Sequence, residues 1–194
     1  DEDMGLMAGV LDQEIAEESP LRISRARLPW LIWVVLAEAI SALVISRFAS
    51  SIEKVVALSF FFPIIMALGG SSGQQPAYVL VRGLATGDIS MVRKGKRILI
   101  EIKVALVNGV VCGMVLGLIV GTWLSDYKLG LVVALALIAV MANGAIIGSV
   151  MPLILRKLGA DPALATGPFV STSNDIFGLL IYLFFVTSYL RIAS

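Results

Sequence analysis

An all-α integral membrane fold is predicted by three features of the chain. Of its 194 residues, 58% are hydrophobic, and the mean hydropathy of +0.95 lies far above that of a soluble domain. Five apolar stretches, near 29–50, 55–81, 98–124, 129–155 and 168–190, are each long enough to cross a hydrocarbon core that takes about 20 helical residues. The breaks between them are short and polar. In hydrocarbon every backbone polar group must find its partner inside the protein, so these runs are helices; they are too long and unbroken for barrel strands.

Residues 1–28 precede this transmembrane domain of residues 29–194. The chain opens on Asp1 rather than Met, as a fragment or a processed product would. Residues 1–19 hold seven of the fourteen acids, which is no signal peptide. Met4, Leu6, Met7, Val10 and Leu11 suit a short amphipathic helix, although a solvated linker would read the same way.

The first span, 29–50, carries Glu38 at its middle, with Ser41 one turn on. Glu38 is either a structural acid or a second cation contact, and the sequence does not name its partner. In the second span, Gly69, Gly70 and Gly73 weaken the helix and Pro76 removes a backbone donor. Ser71, Ser72, Gln74 and Gln75 make the segment polar. Irregular, polar backbone at membrane depth belongs where it is buried or lines a cavity, so the segment is a candidate pore lining; a kinked helix packed by its glycines is the alternative. The third span repeats Gly109, Gly113, Gly117 and Gly121, and the fourth has Gly144 and Gly148, each set forming a smooth groove for a partner helix. Glu101 sits near a helix start beside Arg97 and Lys103, where an ion pair suffices.

The fifth span contains Asp175, the most informative residue. A carboxylate at that depth costs roughly 2.5–3.5 kcal/mol to insert and by default marks an ion path. An Asp that merely ties helices together is the alternative. Ser171, Thr172, Ser173 and Asn174 before it and Gly178 after it favour the ion path, and Ser171, Asp175 and Gly178 share a face.

Charge distribution orients the chain. With the N-terminus in the cytoplasm, eleven Lys and Arg lie inside and four (Arg47, Lys54, Lys128 and Arg191) outside, which leaves the C-terminus outside. This is a multi-pass protein of a plasma or bacterial inner membrane. Trp30, Trp33 and Trp123 fall near helix ends, as interface anchors do. There is no His, and Cys112 is the lone cysteine. That inventory disfavours zinc chemistry, hydrolytic triads and disulfides within the chain. Nothing suggests an enzyme or a nucleic-acid partner. The absence of His and thiolate clusters fits a hard cation rather than a soft one. Glycine-lined helices and one deep Asp per chain suggest a two-fold homodimer within membrane lipid.

Several segments together resemble the membrane domain of the MgtE magnesium channels. They are ArgLeuProTrpLeu (27–31), GluLysValValAlaLeuSerPhePhePheProIle (53–64), the glycines and Gln of 69–75, and ValArgGlyLeuAlaThrGlyAspIle (81–89). The most specific is the run from Asp161 to Tyr182, with its ordered Asp, Pro, Gly-Pro, Asp and Gly positions. The resemblance covers essentially the whole chain, with residues 1–20 similar to the family's cytosolic connecting helix. It implies a homodimer with five transmembrane helices per subunit. It also implies a pore lined by the second and fifth helices at the two-fold axis, with Mg²⁺ bound at the acid matching Asp175. The family's cytosolic N domain and paired CBS sensor domains have no counterpart in these residues. Ser71 stands where the family usually has Asn, and Gln74 where it more often has a small hydroxyl residue. The expected site is therefore Asp175 with Ser171 and Thr172 as ligands to a largely hydrated ion. Gly69, Gly70, Ser71, Gln74 and Gly178 line the pore, and Glu38 is an uncertain second acid. A proton- or Na⁺-coupled exchanger and a non-conducting scaffold are the competing readings.

Overall fold

The computed structural model describes residues 19–86, 94–159 and 162–193, all helical apart from short turns, with no strand among them. The acidic segment 1–18 and the Asp88 to Arg93 break lie outside the described residues. The helices are α1 (Pro20–Arg47), α2 (Ala49–Lys54), α3 (Phe62–Ala85), α4 (Lys94–Trp123), α5 (Tyr127–Lys157) and α6 (Pro162–Ala193), with a 3₁₀ segment at Val56–Phe61 before α3. Four stretches are long and apolar enough to cross a membrane: Val56–Ala85, Gly95–Trp123, Tyr127–Lys157 and Thr166–Ile192. The expected first span falls in α1, which stops at Arg47 instead of running on to 50 and is not among these four. The expected second span corresponds to Val56–Ala85, which starts as the 3₁₀ turn and continues as α3.

Local chemistry accounts for the ends. Pro20 occupies the first turn of α1, where its missing N–H costs nothing. Asp126 caps α5 by accepting the Leu129 N–H at 2.9 Å. Gly159, with φ +77°, takes the left-handed position just past the C-terminus of α5.

Helix α5 is the central element, packed against α3, α4 and α6. Its contacts with α3 and α4 are backbone to backbone. A Cβ on Gly113 would lie 2.9 Å from the Ala134 carbonyl oxygen, and one on Gly117 only 3.0 Å from Ala134 Cβ. On the other side Gly144 faces the Gly69 carbonyl and Gly148 the Gly73 carbonyl, too close for any side chain. Ser72 closes the same seam by donating to the Met141 carbonyl at 2.8 Å. One consequence corrects an expectation: α3 runs unbroken from Phe62 to Ala85 through Gly69, Gly70, Gly73 and Pro76. In hydrocarbon the backbone has no other partner, and close packing against α5 outweighs weak helix propensity.

The apolar core gathers Phe61, Ile65, Val120, Leu137, Val140 and Tyr182 from the 3₁₀ segment and four helices. Tyr182 is fully buried and donates to the Leu58 carbonyl at 3.0 Å, which anchors the 3₁₀ turn on α6. Trp123 meets Phe61 edge to face at 5.8 Å and braces the same turn. Helix α1 stands apart, packed along α6 and running parallel to it: Trp33 meets Phe169 at 5.3 Å, and Glu38, further on, meets Asp175.

Two predictions follow from this packing. Gly148→Ala should cost about 1–3 kcal/mol by overpacking, while Gly95→Ala, with nothing within 4 Å, should be neutral or slightly stabilising; thermal unfolding in detergent reads both. The second concerns the Asp126 cap. The Leu129 N–H, the Tyr189 hydroxyl and the Lys128 backbone and charge together hold the Asp126 carboxyl below its usual value. A carboxyl held low in the folded state adds stability that is complete above its unfolded value of about 4 and is lost as pH falls through the folded value. Unfolding temperature should therefore drop on acidification below about pH 4, and Asp126→Asn should flatten that part of the profile.

Candidate functional site

The site forms on α6, between α1 on one side and α3 on the other. Asp175 is half-buried on α6, and its carboxyl group neighbours the Glu38 carboxyl on α1 and the Asn174 side chain. The parallel run of α1 and α6 brings the two acids level. Two bare carboxylates repel at this range, and a cation or a shared proton between them relieves the repulsion. Glu38 is half-buried too, and Ser41, one turn on, is 4% exposed with its hydroxyl unpartnered. Among the described residues no group of three or more His, Cys, Asp or Glu converges. One chain thus offers two carboxyl groups and a fringe of neutral oxygens.

The other expected site residues fall into two sets. Ser171 is half-buried one turn before Asp175. Thr172 is buried, and its hydroxyl donates to the Pro168 carbonyl of its own helix at 2.9 Å. Gly69 and Gly178 are buried in helix packing. A Cβ on Gly69 would meet Asn174 Oδ1 at 2.5 Å and Val140 at 2.7 Å; one on Gly178 would meet Val140 at 3.2 Å and Met66 at 3.3 Å. Gly70 lies at the edge of this contact, with Asn174 Nδ2 3.8 Å from its Cβ position. Ser71 is exposed and Gln74 half-buried on the other face of α3. That face continues through Ile64, Ala67, Gln75, Tyr78 and Arg82, all exposed in the single chain.

Asn174 receives no role from the sequence reading, yet it organises the site. It is fully buried, donates to the Met66 carbonyl at 3.3 Å, and so ties α6 to α3 directly beneath Asp175. Its Oδ1 has no partner in the protein. The signal available in the sequence was adjacency to Asp175 together with the Gly69-Gly70 pair, whose missing side chains make room for the amide. Nothing in a single sequence says that these two segments cross.

A helical bundle with four spanning-length apolar helices among the described residues, and a pair of neighbouring carboxyl groups in it, defines a multi-pass membrane protein with an acidic site. Residues 62–185 match the family model of MgtE, described as a divalent cation transporter, and the chain belongs to that family. It is 35% identical over 185 residues to the magnesium transporter MgtE of Enterococcus faecalis, covering 95% of this chain and 41% of that protein. Against the magnesium transporter MgtE of Bacillus subtilis it is 36% identical over 165 residues, covering 85% and 37% of the two chains. Against that of Thermus thermophilus it is 34% identical over 177 residues, covering 90% and 38%. The chain thus spans about two fifths of the length of these relatives.

Asn174→Ala should lower stability by about 1 kcal/mol through the lost bond to α3, whereas Ser71→Ala, on the exposed face, should leave it within about 0.5 kcal/mol. Chemical or thermal unfolding of the two purified variants in one detergent checks the contrast.

Proposed function

We propose that this chain forms the membrane pathway of a Mg²⁺ transporter, and that Asp175 holds a largely hydrated ion with Glu38 beside it. The observation that carries the reading is the meeting of two carboxyl groups on α1 and α6, in a chain whose relatives are named magnesium transporters. Mg²⁺ gives up water reluctantly and keeps several waters in most sites. Two carboxylates and nearby hydroxyls suit such an ion: they take its charge and accept from its water ligands without having to replace them. Ser171 is the neighbouring hydroxyl in this scheme. The Thr172 hydroxyl donates within its own helix, so its oxygen is left to accept from a water ligand. Binding must be firm enough to admit the ion and weak enough to release it, which few direct ligands favour.

In this reading α1 is the fifth spanning helix, the N-terminus is cytoplasmic and two copies pair about a two-fold axis. The polar face of α3 with Ser71, Gln74 and Gln75 then turns toward the axis and lines the pore together with α6. Gly69, Gly70 and Gly178 act one layer behind, setting the distance between α3, α5 and α6. Cytosolic sensing regions of the family would act on this pathway from outside the segment described.

The same carboxyl pair favours one second reading, exchange of a divalent cation for protons or Na⁺. Flux that follows a pH or Na⁺ gradient rather than the Mg²⁺ gradient alone would select it. Mg²⁺ uptake into proteoliposomes tests the main proposal. Asp175→Asn should lower flux by about tenfold or more, equivalent to about 1.4 kcal/mol or more of lost ion binding. Glu38→Gln should lower it less, because Asp175, the principal ligand in this reading, remains. Folded Asp175→Asn protein that conducts at the wild-type rate would move the site elsewhere. A wild-type protein with no flux at all would leave a membrane scaffold.

A further inference from the structure

Three cations with described side chains stand near the start of α4: Lys96, Arg97 and Lys103. Arg97 is occupied, because it pairs with Glu101, an acid only 8% exposed. Lys96 and Lys103 are both exposed, and among the described residues neither makes an ion pair or a hydrogen bond. They are two helical turns apart and so share a face. Leu99 and Ile100, 52% and 41% exposed, lie between them. The face continues through Val107, Val111, Met114 and Leu118, all more than half exposed.

Lys103 lies inside the spanning stretch Gly95–Trp123, about 12 Å beyond its first residue along the helix. A lysine at that depth, surrounded by exposed apolar side chains, faces lipid. Its stem can follow the apolar surface, but its ammonium must reach back toward the headgroups and find an anion there. Helix α5 runs antiparallel to α4, with Gly117 against Gly130 and Gly109 against Ile138. Its last residues, Arg156 and Lys157, are exposed at the same end of the bundle and add to the positive field. A basic cluster of this kind at a membrane surface attracts anionic headgroups.

We infer that this face of α4 is a binding site for an anionic phospholipid. Lys96 and Lys103 hold the phosphodiester between them, and the stripe from Val107 to Leu118 carries an acyl chain. A free phosphate would satisfy the lysines and leave the stripe unused, which is why the lipid is the occupant.

The test uses the full chain in nanodiscs of phosphatidylcholine, with or without a minor fraction of phosphatidylglycerol, and reads retained lipid by native mass spectrometry. Wild-type protein should retain phosphatidylglycerol over phosphatidylcholine by about tenfold or more. The double variant Lys96→Gln/Lys103→Gln should lose most of that preference, and Lys96→Arg/Lys103→Arg should keep it. Arg156→Gln/Lys157→Gln should lose less than the lysine pair. Equal retention by wild type and the Gln pair would overturn the site, as would equal loss in the Gln and Arg pairs. Displacement of the lipid by millimolar inorganic phosphate would also overturn it, by showing that the acyl chain contributes nothing.

Discussion

The fold depends on direct backbone contact along the two sides of α5. Lipid tails are as apolar as leucine, so a bundle in hydrocarbon gains little by hiding apolar side chains, and its cohesion comes from close packing and internal hydrogen bonds. Here the closeness is set by Gly113 and Gly117 on α4, Gly69 and Gly73 on α3, and Gly130, Gly144 and Gly148 on α5. All but Gly69 let a carbonyl of a neighbouring helix approach their Cα, and Gly69 admits the side chains of Asn174 and Val140. The aromatic braces and the Ser72 bond to Met141 refine a distance that the glycines have already fixed.

That distance also places the site. Asn174 can lie flat across α3 because Gly69 offers no side chain, and the amide then reaches the Met66 carbonyl. Asp175, the next residue, is turned by the same helix toward α1 and Glu38. Packing and acidic site are thus consecutive residues of one helix facing two different neighbours. A residue added at Gly69 would disturb both.

The helical class, the family and four spanning-length apolar helices were legible in the sequence, because apolar length and the lysine and arginine breaks report directly on hydrocarbon thickness. The glycine repeats were legible as packing faces, but their partners were not. Gly69 and Gly70 read as weakness in α3, since propensity describes a helix alone while the continuous helix reflects what lies against it. Glu38 showed the same limit: its depth was plain and its partner was not, because only the parallel pairing of α1 with α6 brings it level with Asp175. The 3₁₀ start of the second span rests on contacts of Phe61 with Trp123 and of Tyr182 with Leu58, which periodicity does not encode.

Helix α1 touches the rest of the bundle mainly through α6, and this gives it the mechanics of a lever. Glu38 stands nine residues beyond Pro29, the proline inside α1, about 14 Å along the helix. A tilt of about 8° pivoting at Pro29 would shift the Glu38 carboxyl by about 2 Å, enough to part it from Asp175. The spacing of the two acids is therefore a gauge of helix angle, read at the depth where the charge sits. A small push on the outer surface of α1, from lipid or from protein, is felt there first.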